Sequence, residues 1–206
     1  MRIIGGTAAG VILDTPKGLA VRPTPDLVRQ AVFNSLAARV DGARVLELFG
    51  GTGAMSLECL SRGALHAVCV ELASRHARLI EQNLERCGLP RTALELRVQD
   101  VFTALAQLAS AGQQFDLVLA DPPFGDKTTG QRSRSLSQQL LDDARLPALV
   151  AAGGLFVLGH AKRDAVEVTT AWRERKALKH GDSWMRLLEP AGFGAAEPGV
   201  DSPAAP

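Results

Sequence analysis

The chain has no tyrosine, and its aromatic residues are limited to seven Phe and two Trp. Its three cysteines, Cys59, Cys69 and Cys87, form no C-x-x-C pair, so neither a disulfide framework nor a zinc site is expected. No apolar run reaches the ~18 residues that a membrane-spanning helix requires. Glycines and Asp14 interrupt the N-terminus where a secretory signal would need an apolar core. These absences predict a soluble protein of the cytoplasm.

The chain also lacks a strong excess of charge, because 23 basic residues stand against 22 acidic ones in 206. A net charge of +1 argues against blanket electrostatic binding of nucleic acid, although a local basic face stays open. The four histidines are scattered without ligand spacing, and no metal is expected. A hydrophobic content of 46% excludes a disordered chain, and the length suits one ordinary domain.

Three regions are predicted along the chain. Residues 1–40 form an N-terminal extension, in which a turn-rich β-hairpin arm over 1–22 precedes an amphipathic helix. That helix begins with Thr24 as N-cap and Pro25 at its first position, and it runs to about Ala38. Residues 41–189 form the main domain. Residues 190–206 are rich in Pro, Gly and Ala and are predicted to be a disordered tail.

Apolar strands alternate with helices through the main domain. The predicted strands cover residues 45–49, 67–70, 94–98, 115–120 and 155–158. The predicted helices cover residues 54–62, 74–87, 101–109 and 135–150. This alternation is typical of an α/β fold with a mostly parallel sheet and helices on both faces. Two further segments, 174–179 and 183–188, flank Gly181-Asp182 and predict a hairpin that closes the sheet.

A glycine cluster follows the first strand, in the sequence Glu47-Leu48-Phe49-Gly50-Gly51-Thr52-Gly53. Glycine lets the backbone turn tightly and approach a ligand near the positive end of the following helix. A dinucleotide fingerprint needs a third glycine where Ser56 stands, and the Glu47 carboxylate would face a pyrophosphate. The pattern favours a ligand with a cationic amine and no phosphate, such as S-adenosylmethionine. The alternative is a tight turn with no ligand. The candidate cofactor-binding residues in this turn are Glu47, Phe49, Gly50, Gly51, Thr52 and Gly53.

Two further acids end the second and third strands. Glu71, followed by Leu72, can accept hydrogen bonds from both hydroxyls of a ribose. Asp100, followed by Val101, can accept from an adenine amino group, and it is an equally good N-cap for the next helix. Ligands of open α/β sheets bind at the carboxyl ends of the strands, so these four residues are further candidates for cofactor binding.

The most specific motif is Asp121-Pro122-Pro123-Phe124, after the fourth strand. The two prolines fix the backbone and remove two N–H donors, which leaves carbonyls directed outward. A carboxylate and a proline carbonyl form a pair of acceptors suited to an exocyclic NH2 group, and Phe124 offers a flat face for stacking on a base. These four residues are the catalytic candidates.

The motif resembles that of class I S-adenosylmethionine-dependent methyltransferases that methylate nitrogen. The first forty residues resemble more narrowly the bacterial RsmD family. The segments that carry this likeness are Arg2-Ile3-Ile4-Gly5-Gly6, Arg22-Pro23-Thr24 with Asp26, Val28-Arg29, Phe33-Asn34 and, late in the chain, Gly181-Asp182-Ser183. The resemblance covers about residues 1–189 and departs at Phe124, where the family usually has Tyr.

This resemblance implies methylation of the exocyclic N2 of one guanine in 16S ribosomal RNA. It implies S-adenosylmethionine as the cofactor, S-adenosylhomocysteine as the product, and no metal. It further implies a Rossmann-like sheet of seven strands, with an antiparallel strand near residues 183–188 inserted beside the fifth. A monomer that acts on ribosomal RNA in an assembling 30S particle is expected.

Local basic residues are the candidates for contact with RNA phosphates on either side of the target base. They are Arg22 and Arg29 in the extension, and Lys127, Arg132 and Arg134 after the catalytic motif. For each of them the alternative is ordinary solvated surface charge.

Three other functions remain open from the sequence. A DNA adenine-N6 methyltransferase uses the same acceptor pair, although such enzymes usually carry a separate recognition domain for which this chain has no room. A protein glutamine methyltransferase would use the pair on a side-chain amide. A ribosome-assembly module without catalysis would keep the fold and would not need S-adenosylmethionine.

Overall fold

The computed structural model describes residues 1–16, 25–123 and 132–192. The predictions made for residues 17–24, 124–131 and 193–206 lie outside the described residues. They include the N-cap Thr24, the stacking residue Phe124, the basic residues Arg22 and Lys127, and most of the predicted tail.

Seven strands and six α-helices follow one another in the described chain. The strands are β1 (Arg44–Leu48), β2 (His66–Glu71), β3 (Leu94–Val98), β4 (Phe115–Ala120), β5 (Val150–Ala161), β6 (Trp172–His180) and β7 (Ser183–Pro190). The helices are α1 (Asp26–Leu36), α2 (Ala54–Ser61), α3 (Ser74–Arg86), α4 (Val101–Ser110), α5 (Leu136–Asp142) and α6 (Leu146–Leu149). None of the described helices combines the length and the apolar composition that a membrane-spanning helix needs.

One sheet contains all seven strands, in the order β3-β2-β1-β4-β5-β7-β6. The strands β1 to β5 are mutually parallel, and β7 lies antiparallel between β5 and β6. The predicted α/β fold is therefore confirmed, including the antiparallel strand beside the fifth. From β1 the chain builds the sheet outward on one side through β2 and β3, and then on the other side through β4 and β5. The junction between β1 and β4 is therefore the switch point where open α/β sheets bind ligands.

Apolar side chains fill both faces of the sheet, as alternation along buried parallel strands requires. One face packs against the N-terminal segment, α1 and α2, through residues such as Leu13, Val32 and Leu57. The other face packs against α4, α5 and α6, through residues such as Leu105 and Leu140. The first face matters for the site, because the N-terminal segment shares its core with the helix that follows the glycine cluster.

The predicted helix over residues 135–150 is wrong. The chain instead forms the short helices α5 and α6, and β5 already begins at Val150. Asp143 is extended between the two helices, and its carboxylate accepts from the backbone N–H and the guanidinium of Arg145. Pro147 in the first turn of α6 has no N–H to continue a longer helix. The regular spacing of leucines hid this break.

The N-terminal segment forms one antiparallel bridge, between Arg2 and Ile12, where a two-stranded hairpin was predicted. It is fastened along α2 by side chains of that helix. The backbone N–H groups of Ile4 and Gly5 each donate to the carboxylate of Glu58 at 2.8 Å. This segment therefore lies on the domain over its described length instead of extending from it as an arm.

Candidate cofactor and substrate site

Strand register brings the predicted site residues to one edge of the sheet. Leu48 at the end of β1 pairs with Val70 of β2 and with Ala120 of β4. The glycine cluster after β1 consequently lies between Glu71, which ends β2, and Asp121, which follows β4. Strand β3 lies beyond β2 and is followed by Asp100.

The glycine cluster is a tight turn with three residues in the left-handed region. Phe49, Gly51 and Gly53 have φ values of 61°, 59° and 73°. Phe49 is not glycine, and such a conformation costs on the order of 1–3 kcal/mol and gathers at functional sites. A side chain at Gly53 would place its Cβ 2.8 Å from Cγ2 of Ile80, so only glycine fits there. The turn is thus both strained and closely packed against α3.

Glu47 was expected to face a ligand amine, and the structure corrects this. Its side chain is buried beneath the turn, where Oε2 accepts from the backbone N–H of Ser56 at 2.9 Å and Oε1 from that of Met55 at 3.3 Å. It therefore satisfies N–H groups in the first turn of α2 that have no helical partner. Burial raises the pKa of Glu47 to about 7. Its role is to support the turn from below.

Glu71 holds the outer side of the same turn. Its Oε2 accepts from the backbone N–H of Gly51 at 2.7 Å, and its Oε1 accepts from that of Ala73 at 2.8 Å. Nδ1 of His76 lies 3.3 Å from Oε1. Oε2 accepts one described hydrogen bond and keeps a second lone pair, so the carboxylate retains acceptor capacity for a ligand hydroxyl. Leu72, the next residue, is 69% exposed at the rim.

Asp100 caps α4, as one of its two expected roles required. Its carboxylate accepts from the backbone N–H of Thr103 at 3.0 Å. The side chain stands exposed at the edge, whereas Val101 is buried in the core. Thr52 is also buried, and its carbonyl accepts from the side-chain amide of Asn83 at 3.0 Å.

Asp121 lies beside Gly159 of the neighbouring strand β5, where glycine has no side chain to fill the space. A Cβ added to Gly159 of β5 would overlap Oδ1 of Asp121 and lie 2.9 Å from its Cγ. Asp121 is half-buried, Pro122 is buried and Pro123 is exposed. Gly159 thus leaves the space that the Asp121 carboxylate occupies at the end of β4, next to the glycine turn of β1.

The structure does not support one of the basic residues predicted to contact RNA. Arg29 is fully buried. Its Nη2 donates to Asp26 at 2.8 Å and to the carbonyl of Arg2, and its Nη1 lies 3.7 Å from Glu58. A guanidinium held this way fastens α1 to the N-terminal segment and to α2, and it cannot reach a phosphate.

The two described basic residues after the catalytic motif differ from each other. Arg132 is exposed but is paired with Asp142 at 2.6 Å and with Glu167 at 3.2 Å. Arg134 is exposed and forms no ion pair among the described residues. Of these two residues, Arg134 is the one that keeps the free charge that the prediction assumed.

Sequence reasoning missed two buried polar residues that hold the site together. Glu58 and Asn83 are both 0% exposed. Glu58 binds the N-terminal segment, and Asn83 joins that segment to the glycine turn. The available signal was weak: Asn83 falls between Ile80 and Leu84 on the buried face of α3, where a polar side chain requires partners.

The chemistry of the edge fits a cofactor that donates hydrogen bonds and carries no phosphate. Glu71 ends β2, and Asp100 and Asp121 come just after β3 and β4. All three side chains are carboxylates that can accept hydrogen bonds. Ribose hydroxyls, an adenine amino group and a cationic amine are donors suited to such a set. Among the described residues, no group of three or more His, Cys, Asp or Glu side chains could hold a metal ion.

Comparison with known proteins finds one family model and several related proteins that match this chain. The family model described as Conserved hypothetical protein 95 matches residues 1–189. Ribosomal RNA small subunit methyltransferase D of Escherichia coli (strain K12) is 38% identical over 124 residues, which is 60% of this chain and 60% of that protein. The chain thus matches less than two thirds of that relative's length.

Two solved structures share the fold. A hypothetical protein of Thermus thermophilus is 30% identical, with a TM-score of 0.72 over 92% of this chain and 99% of that chain. The 16S rRNA N2 methyltransferase RsmC of T. thermophilus, in complex with AdoMet and guanosine, is 24% identical. Its TM-score is 0.64 over 83% of this chain and 44% of that chain, a likeness of fold alone.

Proposed function

The chain belongs to the RsmD family of methyltransferases, described as conserved hypothetical protein 95, and we propose that it transfers a methyl group from S-adenosylmethionine to the exocyclic N2 of a guanine in small-subunit ribosomal RNA. The observation that carries this proposal is the position of Asp121-Pro122 beside the glycine turn of β1. An acceptor pair suited to an amine would then stand next to the turn proposed to hold the cofactor.

The cofactor would be held by the turn and by the carboxylates around it. Glu71 would accept from the ribose hydroxyls and Asp100 from the adenine amino group, with Leu72 against the ring at the rim. When bound, S-adenosylmethionine supplies a methyl group that its sulfonium already activates. The protein then contributes positioning and electrostatics, which together account for most of the rate in such reactions.

Asp121 and Pro122 would prepare the guanine amine. The lone pair of that amine is delocalised into the purine ring, so the amine is a poor nucleophile. Two hydrogen bonds, one to the Asp121 carboxylate and one to the Pro122 carbonyl, would hold both hydrogens and turn the lone pair outward. Asp121 would then take the proton that the nitrogen loses, directly or through water.

Phe124 would stack on the target base and hold it out of its helix. Extruding a base costs a few kcal/mol unless the RNA already presents it unpaired. We place the substrate in the small subunit during its assembly, with the enzyme acting as a monomer. Pairing by Asp121 and Pro122 would also suit an adenine amine or a glutamine amide, so the assay must separate these substrates.

The test is methylation in vitro with purified chain and S-adenosylmethionine labelled in its methyl group. Four acceptors are offered: 16S ribosomal RNA, 30S particles, duplex DNA and total cell protein. The proposal predicts label in 16S RNA or in 30S particles, as N2-methylguanosine after digestion to nucleosides. Label in DNA or protein instead, or label in RNA as another nucleoside, would overturn it. Calorimetry that detects no binding of S-adenosylmethionine would favour a non-catalytic assembly protein.

A further inference from the structure

Three cations that form no ion pair with a described residue stand at the same edge of the sheet as the candidate site. Lys162 and Arg163 follow β5, Lys179 precedes the last residue of β6, and all three are exposed. We call them the turn patch. Strand β6 is antiparallel to β7, as β5 is, so β5 and β6 both end at the edge where Asp121 stands.

The register gives the distance between the turn patch and the catalytic motif. Ala120, just before Asp121, pairs with Leu158 of β5. On the other side of β5, His160 pairs with Trp184 of β7, which in turn pairs with Lys179. Lys179 is thus three strands from Asp121, or about 14 Å at the usual strand spacing. A nucleic acid whose base reaches Asp121 would pass within reach of this cation.

Free charge distinguishes the turn patch from the arginines of the hairpin. None of its three side chains lies within 4.0 Å of a carboxylate in the described part of the chain. Arg173 and Arg175, near the opposite end of β6, are both paired with Glu189. The patch therefore offers charge that no acid in the described ranges neutralises, whereas Glu189 neutralises charge at the far end of the same hairpin.

Lys179 is also held in place by an aromatic ring. Its Nζ lies 4.3 Å from the ring centroid of Trp184, and Cζ of Arg186 lies 5.4 Å from that centroid. Such cation–π contacts contribute roughly 0.5–1 kcal/mol at exposed sites. Lys179 thus has fewer conformations to lose when it binds an anion, and part of the ordering cost is removed in advance.

The charge of the site itself favours such a patch. Glu71, Asp100 and Asp121 place three carboxylates along the edge from β3 to β4, and these repel a polyanion. The net charge of +1 provides no general attraction to offset this repulsion. Cations on the flank of the acidic site can offset it locally, and the described flank beyond β5 carries them.

We propose that the turn patch binds backbone phosphates of the RNA substrate, on the β5–β6 side of the target base. This inference rests on the proposed function, since it names the surface that holds the substrate of that site. It moves the expected phosphate contacts from the buried Arg29 to Lys162, Arg163 and Lys179. These contacts position the RNA and read no sequence.

The experiment measures RNA binding as a function of salt, with 16S ribosomal RNA as the probe. The variant carries Lys162→Gln, Arg163→Gln and Lys179→Gln. The matched control carries Arg91→Gln, Arg173→Gln and Arg175→Gln, which remove the same charge at the opposite edge of the sheet. Each phosphate contact contributes about 0.7 to the slope of log K against log salt in single strands. We expect the patch variant to lose about 2 from that slope and the control to keep it.

Each outcome decides a separate question. An unchanged slope in the patch variant, or an equal loss of slope in the control, would overturn the proposal that the turn patch binds RNA phosphates. Affinity for S-adenosylmethionine should stay at the wild-type value in both variants, and a melting curve confirms that each is folded. If the triple variant is unstable, single replacements of Arg163 and Lys179 carry the test, each with an expected loss of about 0.7. If the wild-type chain methylates no ribosomal RNA, the proposed function is wrong, regardless of how RNA binding depends on salt.

Discussion

The side-chain amide of Asn83 donates a hydrogen bond of 3.0 Å to the carbonyl of Thr52, inside the glycine turn. The same amide donates to the carbonyl of Asp14 at 3.1 Å and accepts from its N–H at 2.8 Å. Met1 adds a second contact, with its Sδ 3.8 Å from Oγ1 of Thr52. One buried side chain thus joins the N-terminal segment to the turn proposed to hold the cofactor.

Asn83→Leu is expected to weaken both folding and cofactor binding. The replacement leaves a carbonyl of the turn and both backbone groups of Asp14 without partners, at about 1–3 kcal/mol for each group that stays buried. Affinity for S-adenosylmethionine, measured by calorimetry, should fall several-fold because the turn is less well fixed. Gln82→Leu, an exposed neighbour on α3, is the control. Unchanged affinity with reduced stability would limit Asn83 to a role in folding.

Asp121→Asn should remove catalysis and leave the cofactor site intact. The amide has nearly the same shape but cannot take a proton, and positioned acid–base groups typically contribute 10²–10⁴-fold. We therefore expect kcat to fall by at least about 100-fold, with little change in affinity for S-adenosylmethionine. Asp116→Asn, on the same strand near its start, is the matched control. A near-normal rate in the Asp121→Asn variant would show that this carboxylate is not the base.

Gly159→Ala should act on catalysis through Asp121. The added methyl group would overlap Oδ1 of Asp121, so the carboxylate must move. A shift of about 1 Å near the reacting atoms can cost on the order of 100-fold in rate. Methylation assays should show a lower kcat with unchanged affinity for S-adenosylmethionine. Gly192→Ala, where an added Cβ meets nothing, should behave as wild type. Equal rates in both variants would separate Gly159 from the site.

Glu47→Gln should change how stability depends on pH. Burial raises the pKa of Glu47 from 4.5 to about 7, so between these values the folded chain holds a proton that the unfolded chain has released. Its contribution is full below about pH 4.5 and is lost as pH rises through 7. The unfolding free energy of wild type relative to the Gln variant should therefore fall by up to about 3 kcal/mol from pH 5 to 8. Denaturant titrations that give a constant difference would contradict this.

Arg29→Met should destabilise the fold without changing the charge that RNA meets. Breaking a buried ion pair typically costs about 3–5 kcal/mol, and Glu58 would lose part of its compensation. The salt dependence of RNA binding, measured on the folded protein, should equal that of wild type. Arg39→Met, an exposed basic residue just after α1, controls for loss of one positive charge. A salt slope reduced only in the Arg29→Met variant would return Arg29 to the RNA surface.

The parts of the fold and site that could be predicted from the sequence depend on hydrophobic periodicity and on which residues end each strand. The ends of β3 and β4 fall where alternation and apolar runs placed them, and parallel pairing brings the strand ends to one edge of the sheet. The position of Asp121 beside the glycine turn was predictable because each follows the carboxyl end of a parallel strand. The hairpin β6–β7 was marked by Gly181-Asp182 between two strand-like segments.

Residues whose partners are distant in sequence could not be assigned. Arg29 and Phe33 share the buried face of α1 with Val32, but an arginine in a short helix is indistinguishable from a surface cation until its partners appear. Besides Asp26 on the same helix, its partners are the carbonyl of Arg2, 27 positions earlier, and Glu58, 29 positions further along. Glu47 looked like a ligand contact because a charged residue in an apolar strand needs a partner. The partner proved to be the backbone of α2.

The most direct test is the modification state of 16S ribosomal RNA in cells that lack this chain. Digested RNA from the deletion strain and from strains complemented with wild type or with Asp121→Asn would be compared by mass spectrometry of modified nucleosides. The account predicts that one N2-methylguanosine disappears on deletion, returns with the wild-type chain and stays absent with the variant. An unchanged set of modified nucleosides in the deletion strain, or restoration by the variant, would contradict it.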